Sequence, residues 1–245
     1  MAQGGYDTAD YIYNQASCAV SHYGTPTYWI RYFSPTPSTG TIDQSSSNAI
    51  EECQAAWNSG GHYLSPISSP GSTRLSSGSS AEGLADAQTL ASALVNVYQW
   101  VAPLDLPSNG VLYTWLDCEQ GTNLSGAYWY AWANYLNTYD WEGQQFRPLY
   151  ASLYCDPCSG ANCSTVGAEG QCFAIWSSEP ETGYCGYDLT NLPPWHAASC
   201  SSCSVSVPTY LWQFAEKTAC SLSYCNVDMN EGTIAANCFY LSAYP

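Results

Sequence analysis

Apolar residues recur along this chain in two alternating rhythms. In short runs such as YWIRYFS (28–34) and HYLSPISS (62–69) they are nearly continuous or fall on every second position, as in strands. Between strand-like runs the spacing turns helical. Within SSSNAIEECQAAWNSGG, Ile50, Cys53, Ala56 and Trp57 follow a helical period, with Ser or Asn caps before them and a glycine pair after. Leu84, Ala87, Leu90, Ala91, Leu94, Val97 and Val101 draw a longer helical stripe that LPSNG breaks. VLYTWLDCEQG (111–121) then reads as a strand, LSGAYWYAWANYLNTYDW (124–141) as an aromatic helix and RPLYAS (147–152) as a strand. Beyond residue 153 the strands CFAIWSSE (172–179), TYLWQFAE (209–216) and CNVDMNEG (225–232) are separated by Cys-, Gly- and Pro-rich inserts with no persuasive helix. With GGYDTADY (4–11) as the first, eight strands are predicted.

Strand and helix alternate through the first five strands, and three more follow with long loops. That order predicts an α/β fold, an irregular TIM-like (β/α) barrel with parallel strands. A doubly wound open sheet is the structural alternative. No fixed-period repeat, phosphate-binding glycine loop or linker divides the chain, so residues 1–245 are expected to form one domain with a Cys-rich loop region at 153–209.

The strand at 111–121 carries the candidate chemistry. Side chains alternate faces, so Val111, Tyr113, Trp115, Asp117 and Glu119 point one way and Leu112, Thr114, Leu116 and Cys118 the other. Two neighbouring acids on a buried face raise each other's pKa unless hydrogen bonds or water relieve them. In a β/α barrel, functional groups sit at the C-terminal strand ends, where Asp117 and Glu119 fall. Asp7 on the first strand and Asp228 on the last would join them across one mouth. Paired carboxylates suit glycosidic bond cleavage, one donating a proton to the leaving oxygen and another supporting positive charge at the sugar carbon. Each acid alone has a plainer explanation as a turn cap or a solvated strand end.

Charge narrows the partners. The net charge is −16, with Arg31, Arg74, Arg147 and Lys217 the only cations, which argues against nucleic acid and against anionic membranes. No apolar run reaches the roughly 18 residues of a membrane span. Thirteen cysteines, eight of them between 155 and 220, predict disulfide-stapled loops and secretion. The beginning at Met1-Ala2-Gln3 would suit a mature sequence with an added start codon. Zinc held by CDPC (155–158) and CSSC (200–203) is the alternative, but the insert between them is about twice the usual length. An odd count leaves a thiol over, and Cys118, packed under helices, is the candidate. His22, His62 and His196 lack metal-like spacing. Asn123 and Asn162 lie in glycosylation sequons, relevant in a eukaryotic source.

GGYDTAD, LDCEQG, RPLYAS, AIWSSE, LWQFAEK and NVDMN occur in this order along nearly the whole chain. In this the sequence resembles the family-25 glycoside hydrolases, the Chalaropsis-type muramidases, and a divergent bacterial group of glycoside-hydrolase-like domains related to them. The DTA in its first strand is closer to the divergent group. The resemblance implies a retaining hydrolase in which Glu119 is the general acid/base and Asp117 orients the N-acetyl group or stabilises the transition state. Asp7 and Asp228 would position substrate and tune the acid, and Tyr63, Trp176 and Trp212 are candidates to line the sugar site, Trp212 with core packing as its alternative. The expected function is a secreted glycoside hydrolase acting on an N-acetylhexosamine-containing polysaccharide, peptidoglycan first. It needs no metal or organic cofactor and works as a monomer. The alternatives are a non-catalytic carbohydrate-binding or cell-surface module on the same barrel, and a glycosidase for another glycan.

Overall fold

In the computed structural model, residues 3–36, 40–119, 121–141, 149–158, 161–178, 182–196, 206–217, 220–234 and 237–242 are described. Ten strands form one sheet: β1 (Gln3–Thr8), β2 (Tyr28–Phe33), β3 (Tyr63–Ser68), β4 (Leu104–Asp105), β5 (Leu112–Cys118), β6 (Leu149–Cys155), β7 (Ile175–Ser178), β8 (Thr209–Ala215), β9 (Asp228–Gly232) and β10 (Phe239–Leu241). Eight of them close a barrel in the order β2, β1, β9, β8, β7, β6, β5, β3, with β3 pairing back onto β2. The eight predicted strands are these eight. One orientation differs from the expected parallel barrel: β9 runs antiparallel to both β1 and β8. No helix is assigned among the described residues between β8 and β9, and a parallel neighbour is normally reached through a crossover helix, so the chain returns antiparallel.

The helices are α1 (Ile12–Tyr23), α2 (Ser46–Asn58), α3 (Ser72–Ser77), α4 (Ser80–Trp100), α5 (Gly126–Asn137) and α6 (Ala161–Glu169). The first strand ends at Thr8, three residues short of the predicted limit, because Tyr11 already caps α1. The α6 helix lies where only loops are predicted. Its short, weakly periodic sequence hides it, and it packs beside α5 through buried Cys163 and Val166. On α4 the capping box of Ser79 and Glu82 fixes the start of the helix. The predicted stripe on α4 is buried except for Leu84 at its edge, and in α2 the buried face is Ala49, Glu52, Cys53 and Ala56, leaving Ile50 39% exposed. The aromatic helix α5 buries Tyr128, Trp129 and Trp132 in the core.

Two apolar layers result. The barrel interior holds Tyr28, Ile30, Ile67, Val111, Tyr113, Trp115 and Trp176. The outer layer, between strands and helices, holds Leu112, Leu116 and Cys118 of β5 together with Trp129, Leu90 and Leu94. The alternation predicted for 111–118 is therefore the one observed. Arg31, on the outer side of β2, is fully buried and forms a bidentate pair with Glu52 of α2, at 2.6 and 3.1 Å. It also donates to the carbonyls of Thr8 and Gly40, tying the chain on either side of β2 to the barrel.

Cys18 of α1 is joined to Cys225, just before β9, and Cys185 to Cys220. Cys158 and Cys163 are also disulfide-bonded, which removes Cys158 from a zinc site; Cys200 and Cys203 lie outside the described residues. Cys118 is a buried free thiol. Among the described residues no His, Cys, Asp and Glu cluster is arranged to hold a metal, and no helix is long and apolar enough to cross a membrane. Of the two sequons, Asn123 is exposed, whereas Asn162 is buried and accepts a hydrogen bond from the Leu124 backbone at 2.8 Å.

Candidate functional site

Asp7 lies near the C-terminal end of β1, and Asp228 is the first residue of antiparallel β9, so the two are direct register partners. Gln213 of β8 joins them: its Nε2 donates to Asp228 Oδ2 at 3.2 Å and to Asp7 Oδ2 at 3.4 Å. Asn230 of β9 donates to the same Asp7 oxygen at 2.6 Å. Asp228 also accepts the backbone N–H of Lys217 at 2.5 Å, and the Lys217 ammonium donates to Asn226 Oδ1.

These contacts bear on both acids. Burial, then the neighbouring Asp228, push Asp7 well above the ordinary carboxylate value; Asn230 and Gln213 only partly oppose this. Burial also raises Asp228, but the Lys217 backbone donor holds it to about 6. Both carboxyls are therefore raised, and the two neighbours hold a proton more readily than either would alone.

Asp117 stands across the mouth at the end of β5, only 3% exposed. Tyr32 of β2 donates to its Oδ2 at 3.3 Å, while its Oδ1 is buried with no hydrogen-bond partner among the described residues. Burial and then the charge of Glu119 push Asp117 up to about 7, against the stabilising hydroxyls of Ser69 and Tyr32. Glu119 lies one residue past β5 and is exposed, close enough for its charge to act on Asp117 and on the Tyr32 hydroxyl.

Tyr154, the register partner of Asp117 on β6, completes the crossing by donating to Gln213 Oε1 at 2.9 Å. Burial holds its hydroxyl far above the ordinary phenol value, as do Asp7, Asp117 and Asp228 around it, so it remains a donor. Hydrogen bonds thus run from Tyr154 through Gln213 to Asp7 and Asp228, within reach of Asp117.

The strand alternation that aims Asp117 inward also places Gln213 with the acids and Trp212 on the other face of β8. Trp212 is 1% exposed, packed in the outer core against Tyr184, Trp195 and Phe214, so core packing is its role. Tyr63 is likewise displaced from the mouth. It is the first residue of β3, two rungs below the level of Asp7, and packs on Tyr240 of β10 at the closed end of the barrel. Trp176 faces inward but is almost fully buried; its Nε1 donates to Asn230 Oδ1 at 2.9 Å, which supports the acids from below. The sequence reading passes over Tyr32, Tyr154, Gln213 and Asn230. Gln213 and Asn230 were legible, because each lies an even number of residues from an inward position within the quoted W-Q and V-D-x-N stretches. The two tyrosines needed the strand register.

No protein-family model matches the chain, and no curated protein matches it. Solved structures do. An uncharacterized protein of B. stearothermophilus superposes with a TM-score of 0.70 at 20% identity, over 96% of this chain and 99% of that one. A Tat-secreted protein of Mycobacterium tuberculosis, in complex with HEPES, gives 0.54 at 14% identity over 94% and 95%. GHIP, a glycosyl hydrolase 25 of Streptococcus pneumoniae described as a virulence factor in host cell invasion, gives 0.53 at 11% identity over 94% and 87%. At these identities the likeness is one of fold alone, that of a closed eight-stranded α/β barrel.

Proposed function

We propose that this chain is a secreted glycoside hydrolase that cleaves an N-acetylhexosamine-containing polysaccharide at the barrel mouth, with Glu119 as general acid/base. The observation that carries the reading is Asp117: a buried carboxyl beside an exposed glutamate, with one oxygen left without a partner. A buried polar atom without a partner is costly unless a ligand supplies one. The N–H of a 2-acetamido group is such a partner. Held there, the acetamido carbonyl oxygen would lie against the anomeric carbon.

Glu119, protonated, would give its proton to the leaving oxygen as the acetamido oxygen bonds to the anomeric carbon with retention in view. The resulting carboxylate would then take a proton from the water that opens the cyclic intermediate, restoring the acid. Asp7 and Asp228 would bind substrate hydroxyls, one carboxyl neutral and donating, the other ionised and accepting. No metal or organic cofactor enters these steps. Disulfides and the fold shared with a Tat-secreted protein support an extracellular location. Strands from both ends of the chain close one sheet, which supports reading 1–245 as one domain.

The test is product analysis by mass spectrometry after incubation with peptidoglycan and with neutral and amino-sugar polysaccharides, comparing wild type with Glu119→Gln. New reducing ends from wild type alone are expected. No products from any glycan, with oxidised and folded protein, would leave a carbohydrate-binding module as the better description.

A further inference from the structure

The acids at the mouth outnumber what the proposed bond cleavage uses, and the cations among the described residues are engaged by other groups. Glu216, the residue after β8, acts on Asp228 through its charge; Asp228 is the register partner of Asp7 and shares Gln213 with it, and the charge of Asp117, which Glu119 acts on in turn, reaches Asp7. Of the four cations, Arg31 is fully buried against Glu52. Arg74 is held by Asp86 at 2.5 and 2.8 Å. Arg147 lies outside the described residues. Among the described residues Lys217 is the one cation beside Asp228, with its ammonium engaged by Asn226.

A polymer bearing carboxylates would meet this charge unscreened, and desolvated like charges cost several kcal/mol at a binding surface. An ammonium group would meet the reverse. The orphaned Asp117 oxygen independently calls for a ligand N–H, and it does so on the rim where the excess charge lies.

We propose that the mouth is built for a partly N-deacetylated hexosamine polymer, with acetamido nitrogen at Asp117 and free ammonium groups at Asp228, Glu216 and their neighbours, in preference to anionic peptidoglycan. The inference rests on the glycosidase reading and narrows its substrate. In such a polymer the free amine and the acetamido nitrogen occupy the same position, bonded directly to C2 of the ring, so adjacent sugars of one chain can present one of each. Specificity then comes as much from repulsion of acidic glycans as from attraction of the amine.

The experiment measures binding to the Glu119→Gln protein by calorimetry, and cleavage by wild type in parallel. The ligands are glucosamine and galactosamine oligomers with about half their amines free, the same oligomers fully N-acetylated, and soluble peptidoglycan strands. Each is titrated at low and at high salt. The half-free oligomers should bind at least about tenfold tighter than the acetylated ones at low salt, and lose that advantage at high salt, as screened charge pairs do. Glu216→Gln should shrink the advantage while leaving binding of the acetylated oligomers unchanged. Equal binding of the free and acetylated oligomers, tightest binding of peptidoglycan, or no binding at all would overturn the inference. Glu119-dependent cleavage without amine preference would sink only this narrowing. Amine-dependent, salt-sensitive binding without cleavage of any glycan would sink the hydrolase reading and keep the cation-binding site.

Discussion

The indole N–H of Trp176 donates to Asn230 Oδ1 at 2.9 Å, and because an indole can only donate, this bond dictates which way the Asn230 amide faces. Its Nδ2 is then left to meet Asp7, 2.6 Å away. Tyr154 donates to Gln213 Oε1, although a phenol can also accept and so does not dictate that amide's direction. Asp7 Oδ2 receives two amide N–H groups, and the orientation of one, that of Asn230, is set from outside the acid cluster.

Replacing Trp176 by Phe keeps the ring and removes the donor. An unsatisfied buried amide oxygen costs about 1–3 kcal/mol. We expect denaturant unfolding to show a loss of that size, and kcat/KM for the proposed glycan hydrolysis to fall on the order of tenfold as the Asn230 amide loses its fixed orientation. Unchanged stability and turnover would mean that the Trp176 bond does not hold Asp7 in place.

Asp117 makes stability depend on pH in a defined direction. Its folded value, about 7, lies above the ordinary 3.8, so the stability it contributes is fully present below about pH 4 and is lost as pH rises through about 7. Asp228, raised to about 6, and Asp7 act in the same sense. The protein should be more stable near pH 5 than near pH 8. Asp117→Asn, which stays neutral, should gain about 1–3 kcal/mol over wild type near pH 8 and little near pH 4. Thermal unfolding across that range checks it; a wild-type curve that rises with pH would contradict the assignment.

The Arg31–Glu52 pair is fully enclosed, so removing one partner strands the other charge. Glu52→Gln should destabilise by about 3–5 kcal/mol, whereas replacing both partners by apolar residues of similar volume should recover much of the loss. Equal destabilisation by the single and double variants would show that the contacts of Arg31 to Thr8 and Gly40, rather than the ion pair, carry the effect.

Gly83 sits inside α4 where α5 crosses, and a Cβ there would overlap the Tyr128 carbonyl. Helix propensity alone predicts that Gly83→Ala stabilises by about 1 kcal/mol. The clash is with backbone and cannot be relieved by a rotamer, so we expect a net loss of about 1–3 kcal/mol. A rise in the unfolding midpoint would show that α5 can retreat.

Much of this molecule was legible before any coordinates. The change from period two to helical spacing marked the eight barrel strands and the helices α2, α4 and α5, though not α1, and alternation alone put Asp117 on the inner face of β5 with Tyr113 and Trp115. The α6 helix escaped because nine residues rich in Ser, Gly and Thr carry too few apolar positions to show a period. Tyr63 and Trp212 were placed at the site by motif and not by geometry. Counting along β8 from Gln213, and along β3 from its first residue, puts one on the outer face and the other at the closed end.

What the sequence determined by itself was local: which segments are strands, which are helices, and which side of β5 carries its acids, because these depend on residues a few positions apart. What only the tertiary structure decided was relational. The antiparallel return of β9 makes Asp228 the direct partner of Asp7, 221 positions away in the chain. Register between strands distant in sequence brings Tyr32 and Tyr154 to Asp117, and burial of those groups together raises the three carboxyls. Register and burial arise from side chains that meet only when the barrel closes, which is why no local pattern contains them.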